Sequence, residues 1–595
     1  MKGTGLKAAN AQKITIGILI LLSAAASITK ILTGFDIDEA YALAIPYRVL
    51  QGDRLFADMW EVHQTSFLLP YLFLKIYDMI IGSMDGVVLY TRIVTTFLHL
   101  AVSLAVYGFL KGRQGAEDKR LAAVCALIYY NFLPKWMINM DFSMQQLWFF
   151  TLFLIFLFRA RRETGAKRTG RLFASGLMLA LDVLAYPGML LVYPAVVLLL
   201  LFSESGRKWK DILSLTGGCF AAAVVFFLVI FSYMTPGELL EAVPHIFMDG
   251  SHQYDWATKL GLYASQWGGA LVQALILLVP SALCAWAAGW IYKRAGLTGK
   301  YGKLSFGVLL CLVFEILVSL FITFVGLFVL WGPFRLQVRY IVQFAMAFAL
   351  WKTLPAESEG GQDMARRQSI WALWLSLAAF LGILLASNVG PVSSSSYLVI
   401  GNLVFVGLTF ATAQKCGRGM ELLAKAGAVL FLLSLIMCKG YYMRNTEYVP
   451  GDISDTLRRV EEGSLAGVYV PEKDWSRYTD DYETIQSHTT EEDRVLFMGT
   501  EGLCNLYANG KIVIPTTIST PAFNAQWVDY FTLYPEKQPT VIFLAKNTVD
   551  DRHKFFVKNE FGIWIAGRYD VECMEETDSL CILRLRENNR EDETE

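Results

Sequence analysis

Between Ile14 and Cys438 the chain repeats one pattern, a long run of apolar positions followed by a short polar, charged interval. Runs of this length approach the roughly 20 apolar residues needed to cross a hydrocarbon layer about 30 Å thick. They predict a polytopic α-helical membrane protein with about 13 transmembrane helices, at 14–33, 87–110, 121–138, 143–158, 172–186, 188–203, 212–234, 269–292, 304–330, 333–351, 370–388, 396–413 and 420–438. The runs 172–186 and 188–203 are short and parted only by Tyr186 and Pro187, which predicts a tight hairpin. The stretch 66–82 is apolar but short and carries Lys75 and Asp78, so it reads as a helix lying in the membrane interface. The serines at 393–396 read as a flexible link.

After Lys439 the pattern becomes polar with short β-type runs at 467–470, 494–498, 511–514, 540–544 and 580–585. This predicts three parts: a membrane domain over 1–439 with a long first loop at 34–86, an external α/β domain over 440–585, and a charged, disordered tail at 586–595.

Composition agrees, because 55% hydrophobic and only 18% charged residues exclude an ordinary soluble enzyme. The net charge of −1 offers no whole-chain attraction to nucleic acid, and none is expected as a partner. The cysteines are scattered without a CxxC pair, so no zinc or thioredoxin-type site is expected. Charge matters instead through its sidedness. The N-terminus and every second loop hold about 25 Lys and Arg, against about 8 in the alternate loops up to Ser395. Positive charge marks cytoplasmic loops, which puts the N-terminus inside and everything after Cys438 outside, in a multi-pass plasma-membrane protein. Counting 66–82 as a span would destroy that bias. The first span reads as uncleaved, since Ala24-Ala25-Ala26 runs directly into more hydrophobic helix.

Candidate chemistry gathers in the loop 34–86. Asp36, Asp38 and Glu39 follow the first span at once, and carboxylates crowded at a bilayer boundary are readily kept if they bind a cation, an amine or a hydroxyl proton. Glu61 and His63 follow. The order of features resembles the GT-C superfamily of membrane glycosyltransferases, in the manner of protein O-mannosyltransferases and aminoarabinose lipid A transferases. Asp38-Glu39-Ala40-Tyr41 is similar to their Asp-Glu-Ala-x-Tyr motif with Tyr one place early. The segment from Gly52 to Leu69 is similar to a Gly-x-x-x-Tyr-x-Asp-x-x-Glu-x-His-Pro-Pro-Leu segment, with Phe56 for Tyr, Asp58, Glu61 and His63 in place, and Gln64-Thr65 for Pro-Pro. Asp141 stands where the family has an acid after the third span, and Arg339-Tyr340 resembles its arginine-tyrosine pair, with Arg335 one turn earlier.

The resemblance implies an inverting glycosyltransferase that moves a sugar from a polyprenyl-phosphate carrier to an envelope lipid, polysaccharide or protein at the outer face. Such transfer needs a base for the acceptor hydroxyl, donors for the departing phosphate and sideways access for a lipid. Asp38 is the expected base, with Glu39 and Asp36 orienting it or holding a cation. Arg335, Arg339, His63 and Tyr340 are expected at the donor phosphate. Asp141 and Glu61 either complete an oxygen site for Mg²⁺ or Mn²⁺ or engage the sugar hydroxyls. Asp182 is placed to line the same cavity, Glu315 to pair with a neighbouring helix, and the loop 235–268 to act as a substrate lid, although the spacing His245, Asp249, His252 is also compatible with a metal. No assigned residue lies beyond Tyr340, so the external domain is expected to be separable from the chemistry. Two other classes remain open: a transporter or flippase for lipid-linked sugars, and a non-catalytic polysaccharide-assembly protein.

Overall fold

The computed structural model describes residues 2–112, 118–203, 206–246, 255–294, 302–324, 336–353, 360–387, 390–443, 451–452, 455–499, 502–517, 524–547 and 552–587. Among them, nine helices are long and apolar enough to cross a membrane. They overlap the predicted runs, with the helix Trp256–Arg294 starting 13 residues before the run 269–292, and the count of about 13 is not confirmed, for local reasons. The run 121–138 yields a helix only over Asp118–Asn131. Pro134 cannot donate to a helix and biases Leu133 away from it, and Trp136 adopts a left-handed φ of 60°. The chain then passes irregularly to Asp141, whose carboxylate accepts from the Met144 backbone N–H at 2.8 Å and caps the helix Phe142–Ala160. The predicted hairpin at 172–203 is a helix Gly165–Ala185, a 3₁₀ segment Pro187–Leu191 and a short helix Val192–Leu201. The helix Leu336–Thr353 is 18 residues long. The serines at 393–396 form no flexible link. They lie in helical turns, Ser394 and Ser395 are fully buried, and Ser395 Oγ donates to the Gln337 carbonyl at 2.8 Å.

The stretch 66–82 forms the short helix Leu68–Ile81. Pro70 and Leu74 are buried against protein, while Leu68, Leu72, Ile76, Met79 and Ile80 face away uncovered. An apolar face without a protein partner suits a helix lying on a bilayer surface.

Close helix packing depends on glycine where backbones touch. The helices Gly165–Ala185 and Lys208–Ile230 meet at Gly176 and Gly218, and a Cβ on these would lie 1.8 Å from the Leu215 carbonyl oxygen and 2.0 Å from the Phe173 carbonyl oxygen. Small residues permit this approach in membrane bundles. Gly218→Val should therefore force the pair apart at a cost of about 1–3 kcal/mol, seen as a lower thermal midpoint in detergent. An unchanged midpoint would contradict the tight crossing.

The C-terminal region is α/β, as expected, around a five-stranded sheet. With strands numbered along the chain, β1 (Tyr442–Met443) pairs with β2 (Gly451–Asp452), and β3 (Leu457–Arg459) with β4 (Tyr469–Pro471). The main sheet has the order β6-β5-β7-β9-β8, built from β5 (Arg494–Met498), β6 (Lys511–Ile512), β7 (Val541–Ala545), β8 (Tyr569–Glu576) and β9 (Leu580–Glu587). β5 lies parallel to β6 and β7, and the β8-β9 hairpin closes the edge antiparallel. β8 escapes sequence reading because, after Tyr569, its side chains are mostly polar and exposed. Arg586, placed in the disordered tail by sequence, is in β9 and pairs with Glu572 at 2.7 Å, and the tail from 588 lies outside the described residues.

This domain is not separate from the loop 34–86. One apolar cluster runs from Phe35, Ala40, Leu43, Trp60, Val87 and Val88 into Leu503, Tyr507, Ile514, Tyr530 and Phe543. Backbone hydrogen bonds cross between them, from Gly34 N–H to Tyr469, Trp60 N–H to Pro515 and Val88 N–H to Ser464. The loop and the domain therefore share one face of the helical bundle, called the loop face below.

Candidate active site

The three acids after the first span take three different roles. Asp36 is the N-cap of the helix Ile37–Leu50 and accepts from the Asp38 N–H at 2.9 Å, which fixes where that helix starts. Glu39 points inward to Arg92, which donates from Nε at 2.6 Å and from a terminal nitrogen at 2.7 Å. Arg92 also donates to the carbonyls of Ile31 and Gly34, so the pair ties the end of the first helix to its neighbour. Both side chains are almost fully buried. Glu39 is thus held in a bidentate ion pair, which corrects its expected place beside the base. Asp38 alone stays accessible, with 20% of its side chain exposed.

Across from Asp38 stands Lys135, a residue that sequence reading placed inside a transmembrane run. Its ammonium lies 3.2 Å from Asp38 Oδ2 and 3.4 Å from Asp141 Oδ2, and 4.0 Å over the ring of Phe142. The irregular segment after Asn131 makes this possible, because it turns a lysine at the end of an apolar run back toward the loop. A lysine followed within six residues by a capping aspartate was the available signal. The other face of Phe142 belongs to His63, stacked at 3.6 Å, with Tyr41 edge-on to His63 at 6.3 Å and Tyr186 within 5.6 Å. Tyr397 completes the wall, its hydroxyl donating to Ser143 at 3.2 Å and its ring 6.0 Å from Tyr186. The result is one acid pair bridged by one cation beside an aromatic wall.

Burial pushes His63 from about 6.5 down to about 3, with Lys135 adding repulsion. The ring is therefore neutral at physiological pH in this arrangement. A base with its folded pKa lowered destabilises the fold only where the unfolded chain takes up the proton. Stability should thus fall as pH drops below about 6.5 toward 3 and be insensitive to His63 above that range. His63→Gln should reduce this acid sensitivity, measured as the difference in thermal midpoint between neutral and mildly acidic buffer. An equal acid loss in parent and variant would show that His63 is not responsible.

The segment from Gly52 to Leu69 is organised by Arg48, which is wholly buried. It donates to Asp53 at 3.0 Å and to the Asp58 carbonyl at 2.8 Å, and lies 3.7 Å from Glu61. Glu61 does not face Asp141. It accepts from the backbone N–H and hydroxyl of Thr517 and from Thr516 at 3.3 Å, and burial pushes its carboxyl above the usual range. Lys537 joins from the C-terminal domain, 2.8 Å from Asp53 and 3.1 Å from Asp58. The substitution of Gln64-Thr65 for Pro-Pro has a structural account. The Gln64 amide oxygen accepts from Phe56 N–H at 2.7 Å, at a left-handed φ of 64°, while its nitrogen donates to the Glu61 carbonyl at 2.9 Å. Thr65 Oγ1 donates to the Leu184 carbonyl at 2.6 Å.

No family model and no curated protein matches the chain. Among solved structures it is similar to the archaeal oligosaccharyltransferase AglB of Archaeoglobus fulgidus, determined with an inhibitory peptide and a dolichol-phosphate, at 11% identity and a TM-score of 0.42, over 97% of this chain and 74% of that one. It is also similar to ArnT of Cupriavidus metallidurans, in the apo state at 13% identity and a TM-score of 0.38, over 97% of this chain and 98% of that one. The undecaprenyl phosphate-bound form of ArnT matches at 12% identity and the same TM-score, over 96% and 97%. Likeness this distant assigns no role to any residue.

The remaining predicted residues lie elsewhere. Arg339 is buried in the bundle, donating to Glu315, to Ser319 at 2.8 Å and to Ser434 at 2.9 Å, and it lies 4.0 Å over Phe431. Glu315 also accepts from Gln343 at 2.5 Å, so the arginine has its own counter-charge within the helices, as expected for Glu315 and unlike a phosphate clamp. Tyr340 is buried with its ring edge-on to Phe132 at 5.6 Å, beneath the segment that carries Lys135. Arg335 lies outside the described residues. Asp182 is fully buried in its helix rather than facing an open cavity. In the expected lid, the helix Pro236–Ile246 brings His245 to stack on Trp60 at 4.2 Å, with its carbonyl bonded to Gln526, while Asp249 and His252 lie outside the described residues. Among the described residues no group of three or more His, Cys, Asp or Glu is placed to hold a metal.

Proposed function

We propose that the chain is an inverting glycosyltransferase that moves a sugar from a polyprenyl-phosphate carrier to an envelope lipid, glycan or protein at the loop face, taken as the outer face. The observation that carries this reading is the selective exposure of Asp38: of the three acids after the first span, it alone keeps an accessible carboxylate, on the side of Lys135 that adjoins the aromatic wall. In this reading Asp38 takes the proton of the acceptor hydroxyl as that oxygen attacks the anomeric carbon. The bond to the carrier phosphate breaks on the opposite side, and the configuration inverts with one base. Tyr41, Phe142, Tyr186 and Tyr397 supply an aromatic wall for the sugar. The sequence resemblance supports the same class, and the residues offered for the donor phosphate on that resemblance leave only Arg335 without a described structural role. The lipid-linked sugar transporter is less well supported, since the site acids Asp38 and Asp141 stand at helix starts beside the loop 34–86. Purified protein supplied with radiolabelled polyprenyl-phosphate sugar and a membrane extract as acceptor should release polyprenyl phosphate and label the acceptor. Labelled lipid that crosses vesicles intact would instead establish transport.

A further inference from the structure

A divalent ion bound by Asp38, Asp141 and Glu61 is the arrangement that three acids around a sugar-phosphate site suggest, and the residues present do not fit it. Glu61 is engaged by Thr516, Thr517, Arg48 and Tyr41, and no metal-holding group joins it to the other two among the described residues. Asp141 Oδ1 is used by the Met144 N–H. The space between Asp38 Oδ2 and Asp141 Oδ2 holds the ammonium of Lys135, at 3.2 Å from one and 3.4 Å from the other.

We infer that Lys135 is the resident cation of this site, occupying the position between Asp38 and Asp141 that a divalent ion would need. The electrostatic reason is direct. Two carboxylates close enough to share one ammonium repel each other and would repel an anionic lipid phosphate, and a fixed positive charge between them lowers both penalties. An ammonium and a divalent ion cannot occupy the same point, and moving the ammonium aside to admit the ion would place two cations in contact. The lysine is also held from three sides. Its charge rests on the Phe142 face at 4.0 Å, Pro134 precedes it, and Trp136 follows in a left-handed conformation with its ring buried. A bulky residue in that conformation is costly and persists only where its surroundings fix it. Lys135 is a positioning residue: it sets the orientation and charge of Asp38, while Asp38 meets the acceptor.

The inference is tested by Mn²⁺ binding to the full-length protein in detergent, followed by electron paramagnetic resonance of the free ion, which needs no transfer activity. The parent should show no saturable Mn²⁺ site that depends on Asp38, and Lys135→Gln should gain one that disappears again in Lys135→Gln/Asp38→Asn. Saturable binding by the parent that Asp38→Asn abolishes would overturn the inference, as would a folded Lys135→Gln protein that gains nothing. If Lys135→Gln does not fold, Lys135→Arg decides, because a retained cation should keep the site metal-free, and Asp38-dependent Mn²⁺ binding there overturns the inference. A kinetic arm rests on the proposed transfer reaction: a chelator should leave the parent's rate unchanged. Absence of any transfer by the parent would count against the glycosyltransferase reading and leave the Mn²⁺ result to decide the role of Lys135.

Discussion

Asp38→Asn is expected to leave the protein folded and to reduce sugar transfer by about 10²–10⁴-fold, the usual worth of one positioned base. The amide keeps the volume of the carboxyl, and the local helix does not need the charge, since the Asp38 backbone N–H still bonds to Asp36. The change removes the capacity to take a proton and the charge that attracts Lys135. The neighbouring acids give the contrast. Glu39→Gln weakens a buried bidentate pair with Arg92 and should lower thermal stability together with activity. Paired measurements of rate and thermal midpoint separate the two: a loss of rate at constant midpoint belongs to Asp38, and a loss of both to Glu39. If the Asn variant turns over within about threefold of the parent, Asp38 is not the base.

Arg48→Met should be the most destabilising single change on the loop face, at about 3–5 kcal/mol, because it leaves buried acids without the charge that balances them. Asp53 would keep Lys537 and Lys511, but Glu61 would lose the Arg48 charge and depend on Thr516, Thr517 and Tyr41. The bond to the Asp58 carbonyl, which closes the loop, would go as well. The C-terminal domain depends on that loop, since Trp60, Asp58 and Glu61 all bond to it, so the variant should loosen the domain as well as the loop. Limited proteolysis should show faster cleavage between the last membrane helix and the sheet, alongside a lower thermal midpoint. Parent-like behaviour in both would show that the arginine is not the organising charge.

The same contacts change what a truncation should do. Sequence reading separated the C-terminal domain because no candidate residue lay beyond Tyr340. In the structure that domain supplies threonine hydroxyls that hold Glu61 and most of the apolar cluster shared with the helix bearing Asp38. A protein ending after Tyr442 would expose Trp60, Leu43 and Val88, and loss of function there would report on the loop as much as on the domain.

The sequence by itself determined the polytopic helical class, the short apolar helix Leu68–Ile81, four of the main-sheet strands and the clustering of acids in the loop 34–86. These follow from local quantities: hydropathy over about 20 residues, a period of two in strands and acids clustered at a helix start. Only the tertiary structure decided which acid keeps an accessible carboxylate. Asp36, Asp38 and Glu39 are alike in sequence, and they part because a helix N-cap takes the first, Arg92 takes the third from a helix more than fifty residues away, and neither reaches the second. Lys135 was hidden for the same reason. Its meaning depends on a break at Pro134 that composition averages away, and on Asp38, which lies 97 residues earlier. Charge pairing at short range is a property of position in space, so hydropathy can place a lysine at the end of a span but cannot say which carboxylates it will meet.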